Sequence, residues 1–169
     1  MRPVLVLVGP PGAGKSTVGR LLAHRLGVRF RDTDADIVGR AGKPIAEVFI
    51  DDGEEHFRAL ERAAVQKALE EHDGVLSLGG GAVLAEQTRR LLHGHTVALL
   101  DVDLSHATSR VGLNRDRPVL ALNPRAQLKA LLEQRMPLYR EVASLTVDTS
   151  ARTAKQVVDV LADALASPA

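Results

Sequence analysis

The stretch Gly9-Pro10-Pro11-Gly12-Ala13-Gly14-Lys15-Ser16 limits the possible folds more than any other feature of the chain. It fits G-x-x-x-x-G-K-[ST] in full, and it sits where that motif has meaning. Before it lies a continuous apolar run over residues 4–8. After it, Val18, Leu21, Leu22 and Leu26 recur at helical spacing, with Gly27 placed to cap the end. A strand, a glycine-rich turn and a helix in that order make a phosphate loop. The glycines let successive N–H groups face inward, and the helix adds the positive end of its dipole. Gly12, Ala13, Gly14, Lys15, Ser16 and Thr17 are therefore expected to hold a nucleoside triphosphate. Lys15 would reach the β- and γ-phosphates, and the Ser16 hydroxyl would ligate Mg²⁺.

An apolar run without alternation implies a strand covered on both faces, as in parallel sheets flanked by helices. The rest of the chain repeats the alternation. Strands are expected over residues 28–32, 75–78, 96–100 and 145–147. Helices are expected over 37–41, 54–71, 85–92, 104–111 and 157–165. A short helix with Pro44 in its first turn would run to Phe49. A further helix would be capped by Asn123, begin at Pro124 and run to about Arg135, with Pro137 kinking or ending it. The reading is α/β: a three-layer fold with helices on both faces of a parallel sheet. With 169 residues, no repeat and no linker, one domain spanning 1–169 is expected.

Composition removes several classes of function. Net charge is +1 and aromatics are 2 % of residues, which disfavours nucleic-acid binding and base stacking. There is no cysteine, so disulfides, thiolate metal sites and cysteine nucleophiles are excluded, and a reducing cytoplasm is the expected compartment. The first apolar run begins at Val4, and no secretory leader is expected. No apolar run approaches the ~18 residues of a membrane-spanning helix. His93 and His95 lie at a helix-to-strand turn and are read as a solvated turn rather than a zinc site.

The residues expected to receive the phosphate are scattered. Asp32 and Asp34 fall at the end of the second strand, where ligands bind in open α/β sheets. Asp-x-Asp before a helix also suits an N-cap, and position alone leaves both roles open. Arg58 and Glu61 stand i,i+3 on the long helix and fit a surface ion pair as well as a site. Gly79, Gly80 and Gly81 end the third strand and present bare backbone to a ligand. Arg115-Asp116-Arg117-Pro118 lies in the longest polar stretch and reads as a lid carrying a cation to the transferring phosphoryl group. Arg135 stands just before Pro137, where it also suits the helix dipole.

Taken in order, these motifs resemble the shikimate kinase family over nearly the whole chain. The series comprises residues 9–17, Asp32-Thr-Asp34, Gly53-Glu-x-x-Phe57-Arg58-x-x-Glu61, Ser77-Leu-Gly-Gly-Gly81, Arg117-Pro118 and Arg135-x-Pro-Leu-Tyr139. The resemblance implies a five-stranded parallel sheet of order 2-3-1-4-5, with a substrate-binding segment at about 33–61 and a lid at about 112–124. It implies ATP-dependent phosphorylation of the shikimate 3-hydroxyl in aromatic amino-acid synthesis, with Mg²⁺ as cofactor and a monomeric enzyme. Arg58 and Arg135 then match the clamp for the substrate carboxylate, with Gly79, Gly80 and Gly81 supplying backbone contacts. Asp34 matches the residue that orients or deprotonates the attacking hydroxyl, and Asp32 the acidic residue near Mg²⁺. Arg117 matches the lid arginine, Arg110 the one beside adenine, and Arg152 falls in the adenine loop. Phe49, Phe57 and Pro118 would line the ring pocket.

Three rival readings remain at this level. A gluconate-type kinase would keep the phosphate loop but would need neither Arg58 nor Arg135. A nucleoside-monophosphate kinase would need aromatics to sandwich a second base. A nucleotide-binding scaffold that has lost catalysis is opposed by the intact set Lys15, Ser16, Asp34 and Arg117.

Overall fold

The computed structural model describes residues 2–111 and 124–166. Five strands form one parallel sheet: β1 (Leu5–Val8), β2 (Phe30–Asp32), β3 (Val75–Ser77), β4 (Val97–Asp101) and β5 (Leu145–Asp148). Their order is β2-β3-β1-β4-β5, as the resemblance implied. The central strand β1 pairs Leu5 with Val75 of β3 on one side and Val6 with Val97 of β4 on the other.

The period-two geometry of a strand explains why β1 reads as unbroken apolar sequence. Leu5 and Leu7 face a core shared with Val18 and Leu22 of α1 (Lys15–Leu26) and Val157 and Leu161 of α8 (Ala154–Ala166). Val6 and Val8 face the opposite core, with Val65 and Leu69 of α4 (Glu54–Glu71), Leu92 of α5 (Glu86–Leu92) and Tyr139 of α7 (Pro124–Val142). All four β1 side chains are buried because helices cover both faces. A third, smaller core lies off the sheet. There Ile37 of α2 (Thr33–Ala41), Val48 of α3 (Ile45–Asp52) and Phe57 of α4 pack together. Helix α6 (Leu104–Val111) follows β4.

Three expectations are corrected. Helix α2 begins at Thr33, not Ile37, because the Asp32 carboxylate accepts the Asp34 N–H at 2.9 Å and caps it. Its polar first turn carries no apolar periodicity, so the pattern only becomes visible at Ile37. The cap therefore falls on Asp32. Helix α7 runs through Pro137 to Val142 rather than ending near Arg135. Pro137 and Glu133, the residue one turn earlier whose carbonyl loses its donor, both face solvent. Water can serve that carbonyl, while Leu128, Arg135 and Tyr139 continue the buried stripe past the proline. Pro44 is the N-cap residue of α3, not a member of its first turn, and the helix reaches Asp52. A 3₁₀ turn over Ala82–Leu84, unforeseen in the sequence, follows the glycine run.

Candidate active site

The phosphate loop leaves β1 at its C-terminal end and enters α1. Gly12 and Gly14 hold φ values of 83° and 88°, the left-handed region that favours glycine. Gly14 is the N-cap residue of α1, so the motif delivers the chain directly into the helix. Lys15 folds back across the loop, its Nζ donating to the carbonyls of Gly9 at 2.8 Å and Pro10 at 3.1 Å. Its ammonium is thereby held over the concave side of the loop.

Asp32 links this loop to the next strand. One carboxylate oxygen caps α2, and the other accepts the Ser16 hydroxyl at 3.1 Å. Burial raises the Asp32 pKa above the usual carboxylate range, and the nearby Asp34 charge raises it further. The Asp34 amide, the Ser16 hydroxyl and Lys15 oppose the rise. Hydroxyl and carboxylate oxygens, with the carboxylate short of positive charge, form a donor set that suits a hard divalent cation. Among the described residues no group of three or more His, Asp or Glu side chains could hold a metal by itself.

Beyond β3 the chain makes a buried floor of bare backbone, and the scattered acceptor residues meet above it. A Cβ on Gly79 would come within 2.6 Å of Asp34 Oδ1 and 3.1 Å of Glu61 Oε2. A Cβ on Gly80 would lie 3.3 Å from Pro11 Cδ and 3.6 Å from an Arg135 guanidinium nitrogen. A Cβ on Gly81 would overlap the Arg58 guanidinium. A side chain at Gly79 or Gly81 would thus displace Asp34 or Arg58, whereas one at Gly80 would crowd Pro11 and meet Arg135 only at ordinary contact distance. Asp34 comes from α2, Arg58 and Glu61 from α4, and Arg135 from α7.

The Arg58–Glu61 pair is internal rather than a surface pair. Arg58 donates to Glu61 at 2.8 Å, and Glu61 is only 3 % exposed. Arg58 also lies over the Phe57 ring and within 3.7 Å of Glu54. Arg135 is 7 % exposed. Beside these groups is a cavity of about 600 Å³, bordered by Pro11, Phe49, Arg58, Glu61, Gly81 and Arg135. Phe49 forms part of its wall, and Phe57 stands behind it, the two rings stacked 4.7 Å apart. Asp34 adjoins the cavity across Gly79 rather than lining it.

On the other side of the phosphate loop is a smaller cavity of about 240 Å³. Ala13, Gly14 and Thr17 border it, together with Thr149, Arg152 and Val157 from the turn between β5 and α8. Arg152, expected in the adenine loop, donates to the Asp148 carbonyl at 2.6 Å and borders this small cavity. The Arg110 side chain, Arg117 and Pro118 lie outside the described residues.

Sequence reasoning did not single out Pro11 as the wall shared by loop and pocket. It also missed Thr33, whose hydroxyl makes long contacts to the Ser77 carbonyl at 3.5 Å and the Gly79 amide at 3.4 Å. Tyr139 was visible only as part of a motif. Its i,i+4 spacing from Arg135 was the available signal, and the intervening proline hid it.

A parallel sheet with a phosphate loop on its central strand, beside a pocket of buried and half-buried arginines and carboxylates, defines a phosphate-loop phosphotransferase acting on a small anionic acceptor. The sequence model of the shikimate kinase family matches residues 11–166. The shikimate kinase of Salinispora arenicola is 61 % identical over 167 residues, covering 99 % of this chain and all of that one. That of Thermobifida fusca is 56 % identical over 164 residues, covering 97 % of this chain and 95 % of that one. The solved shikimate kinase of Acinetobacter baumannii in complex with shikimate superposes with a TM-score of 0.93 at 35 % identity, covering 98 % of this chain and 93 % of that one. The chain belongs to the shikimate kinase family.

Proposed function

We propose that this protein transfers the γ-phosphoryl group of ATP to the 3-hydroxyl of shikimate, giving shikimate 3-phosphate and ADP on the route to aromatic amino acids. The observation that carries the reading is the convergence of Asp34, Arg58, Glu61 and Arg135 on the Gly79–Gly81 floor, one residue's width from Pro11 of the phosphate loop. An acceptor seated there lies next to the phosphate that the loop holds.

Each group has a task that its chemistry suits. The loop amides and Lys15 cradle the triphosphate. Arg58 and Arg135 offer planar donors to the ring carboxylate, as two-point recognition requires. Glu61 keeps Arg58 turned toward the floor. Asp34 accepts the hydrogen bond of the attacking hydroxyl, which turns a lone pair of the hydroxyl oxygen toward the phosphate. The hydroxyl oxygen bonds to the γ-phosphorus as the bond to the β–γ bridging oxygen breaks; ADP leaves with that electron pair, and the hydroxyl proton passes along the hydrogen bond to Asp34 and on to solvent. Positioning and charge neutralisation supply most of the catalysis in such a transfer.

Ser16 and Asp32 are the residues that would hold Mg²⁺, directly or through water. Held there, a divalent cation would supply charge neutralisation at the triphosphate. Arg152 and the small cavity beside Thr149 serve the adenosine. The lid role of residues 112–124, with Arg117 for the phosphates and Arg110 for the base, is carried by the family resemblance alone, since Arg117 and the Arg110 side chain lie outside the described residues. The single domain works as a monomer in the cytoplasm. No described helix is long and apolar enough to cross a membrane.

A coupled ADP-release assay with Mg·ATP tests the reading, with shikimate, gluconate and nucleoside monophosphates as acceptors. Release dependent on shikimate alone is the expected result. Release with another acceptor would keep the loop assignment and overturn the pocket.

A further inference from the structure

Tyr139 is the chain's single tyrosine, and there is no tryptophan. Its ring is 1 % exposed and packs in the core beneath the sheet, a role phenylalanine would fill as well. Its hydroxyl does something more specific, donating to the Gly80 carbonyl at 2.6 Å. Each neighbouring carbonyl has a donor of its own. Gly79 and Gly81 accept from the amides of Ala82 and Leu84, both at 3.1 Å. Val83 and Leu84 accept from Arg89 of α5 at 2.8 and 3.1 Å. The donor to Gly80 comes from the helix that also carries Arg135, one turn earlier on the same face.

A trans peptide is planar, so its C=O and N–H point in opposite directions. Holding the Gly80 carbonyl toward the core turns the Gly81 N–H the other way. Gly81 borders the large cavity there, and the Arg58 guanidinium crosses its Cα. An amide so placed is a third donor for an anion already facing two guanidinium groups.

We propose that Tyr139 is a positioning residue of the acceptor pocket: its hydroxyl fixes the Gly80–Gly81 peptide so that the Gly81 N–H faces the bound carboxylate. This rests on the acceptor reading above. Helix α7 then sets both sides of the carboxylate site at once, through the Arg135 side chain and through the backbone that Tyr139 holds.

The test is Tyr139→Phe, which keeps the ring and removes the hydroxyl. The Gly80 carbonyl loses its buried donor, and the KM for shikimate should rise about tenfold while the KM for ATP stays at its original value. An unchanged shikimate KM in a folded variant would overturn the proposal, even if the melting temperature fell. A second measurement needs no variant. Because Tyr139 is the only tyrosine and tryptophan is absent, tyrosine emission reports on this one hydroxyl. Titrating the unmodified enzyme with shikimate should change that emission, with a midpoint matching the shikimate dependence of ADP release. Constant emission across that range would overturn the proposal. Absence of shikimate-dependent ADP release from the unmodified enzyme would instead remove the acceptor reading beneath it.

Discussion

The phosphate loop and the acceptor pocket meet at Pro11 but are built in opposite ways. The loop comes from eight consecutive residues, and its working donors are mostly backbone amides held by glycines at positive φ. The pocket's polar groups come from three helices, and these working side chains are brought together over bare backbone at a strand end. Glycine serves each for a different reason. At Gly14 nothing lies within 4 Å of a Cβ, and the demand is a φ of 88°. At Gly81 the φ of −99° suits any residue, and the demand is space for Arg58. A site made of local backbone tolerates changes elsewhere in the fold. A site made of distant side chains depends on every element that carries one.

The largest expected effect tests whether the loop serves all chemistry alike. Lys15→Ala should lower kcat by on the order of 10²–10³-fold or more, with the fold intact by circular dichroism. Near-normal turnover in that variant would break the comparison at its first half. Next, Arg58→Ala should weaken shikimate binding by roughly 2–5 kcal/mol, since the carboxylate loses a charged partner and Glu61 loses its own. Calorimetric titration with shikimate checks it. An equal loss of ATP affinity would show that the two regions are not separable.

A matched pair of alanines sharpens the contrast. Gly14→Ala should cost about 1–2 kcal/mol in stability from left-handed backbone strain, and it should raise the KM for ATP. Gly81→Ala should leave the backbone unstrained, displace Arg58, and raise the KM for shikimate by about tenfold, a loss of ~1.4 kcal/mol. Thermal melts and two-substrate kinetics on both variants decide the matter, and reversed assignments would refute it.

The smallest effect concerns pH. Burial, then the Asp34 charge, raises the Asp32 pKa. Between the ordinary and the raised value the folded protein holds more protons than the unfolded one, so the contribution to stability falls as pH rises through that window. The ionised form is the one that serves a cation. The Mg²⁺ concentration for half-maximal activity should therefore increase as pH falls toward the raised value. Asp32→Asn keeps a good capping residue and should abolish this pH dependence while raising the melting temperature of the ligand-free protein at neutral pH. A fall in melting temperature would show that the ionised carboxylate is stabilising after all.

Much of this was readable from local pattern. The loop declares itself because its residues are contiguous, and the strands because apolar runs without alternation need helices on both faces. The acceptor residues were nameable one by one, yet each fitted an ordinary alternative as well. Asp32 does act as a cap, and it holds Ser16 with its other oxygen. Arg58 and Glu61 do pair at i,i+3, but inside the protein. Pro137 pointed to a helix end, and the helix continued because the unpaired turn faces water.

What the sequence determined by itself was therefore the chemistry carried by short-range order: the phosphate loop, the parallel α/β sheet and the residue types available for the acceptor. What only the tertiary structure decided was which of those residues share one space. Spacing along a chain specifies neighbours within a turn or a strand. The meeting of Asp34, Arg58, Glu61 and Arg135 on three glycines depends on how α2, α4 and α7 pack against the end of β3. That packing follows from burial summed over whole cores, in which no single residue reveals its partner.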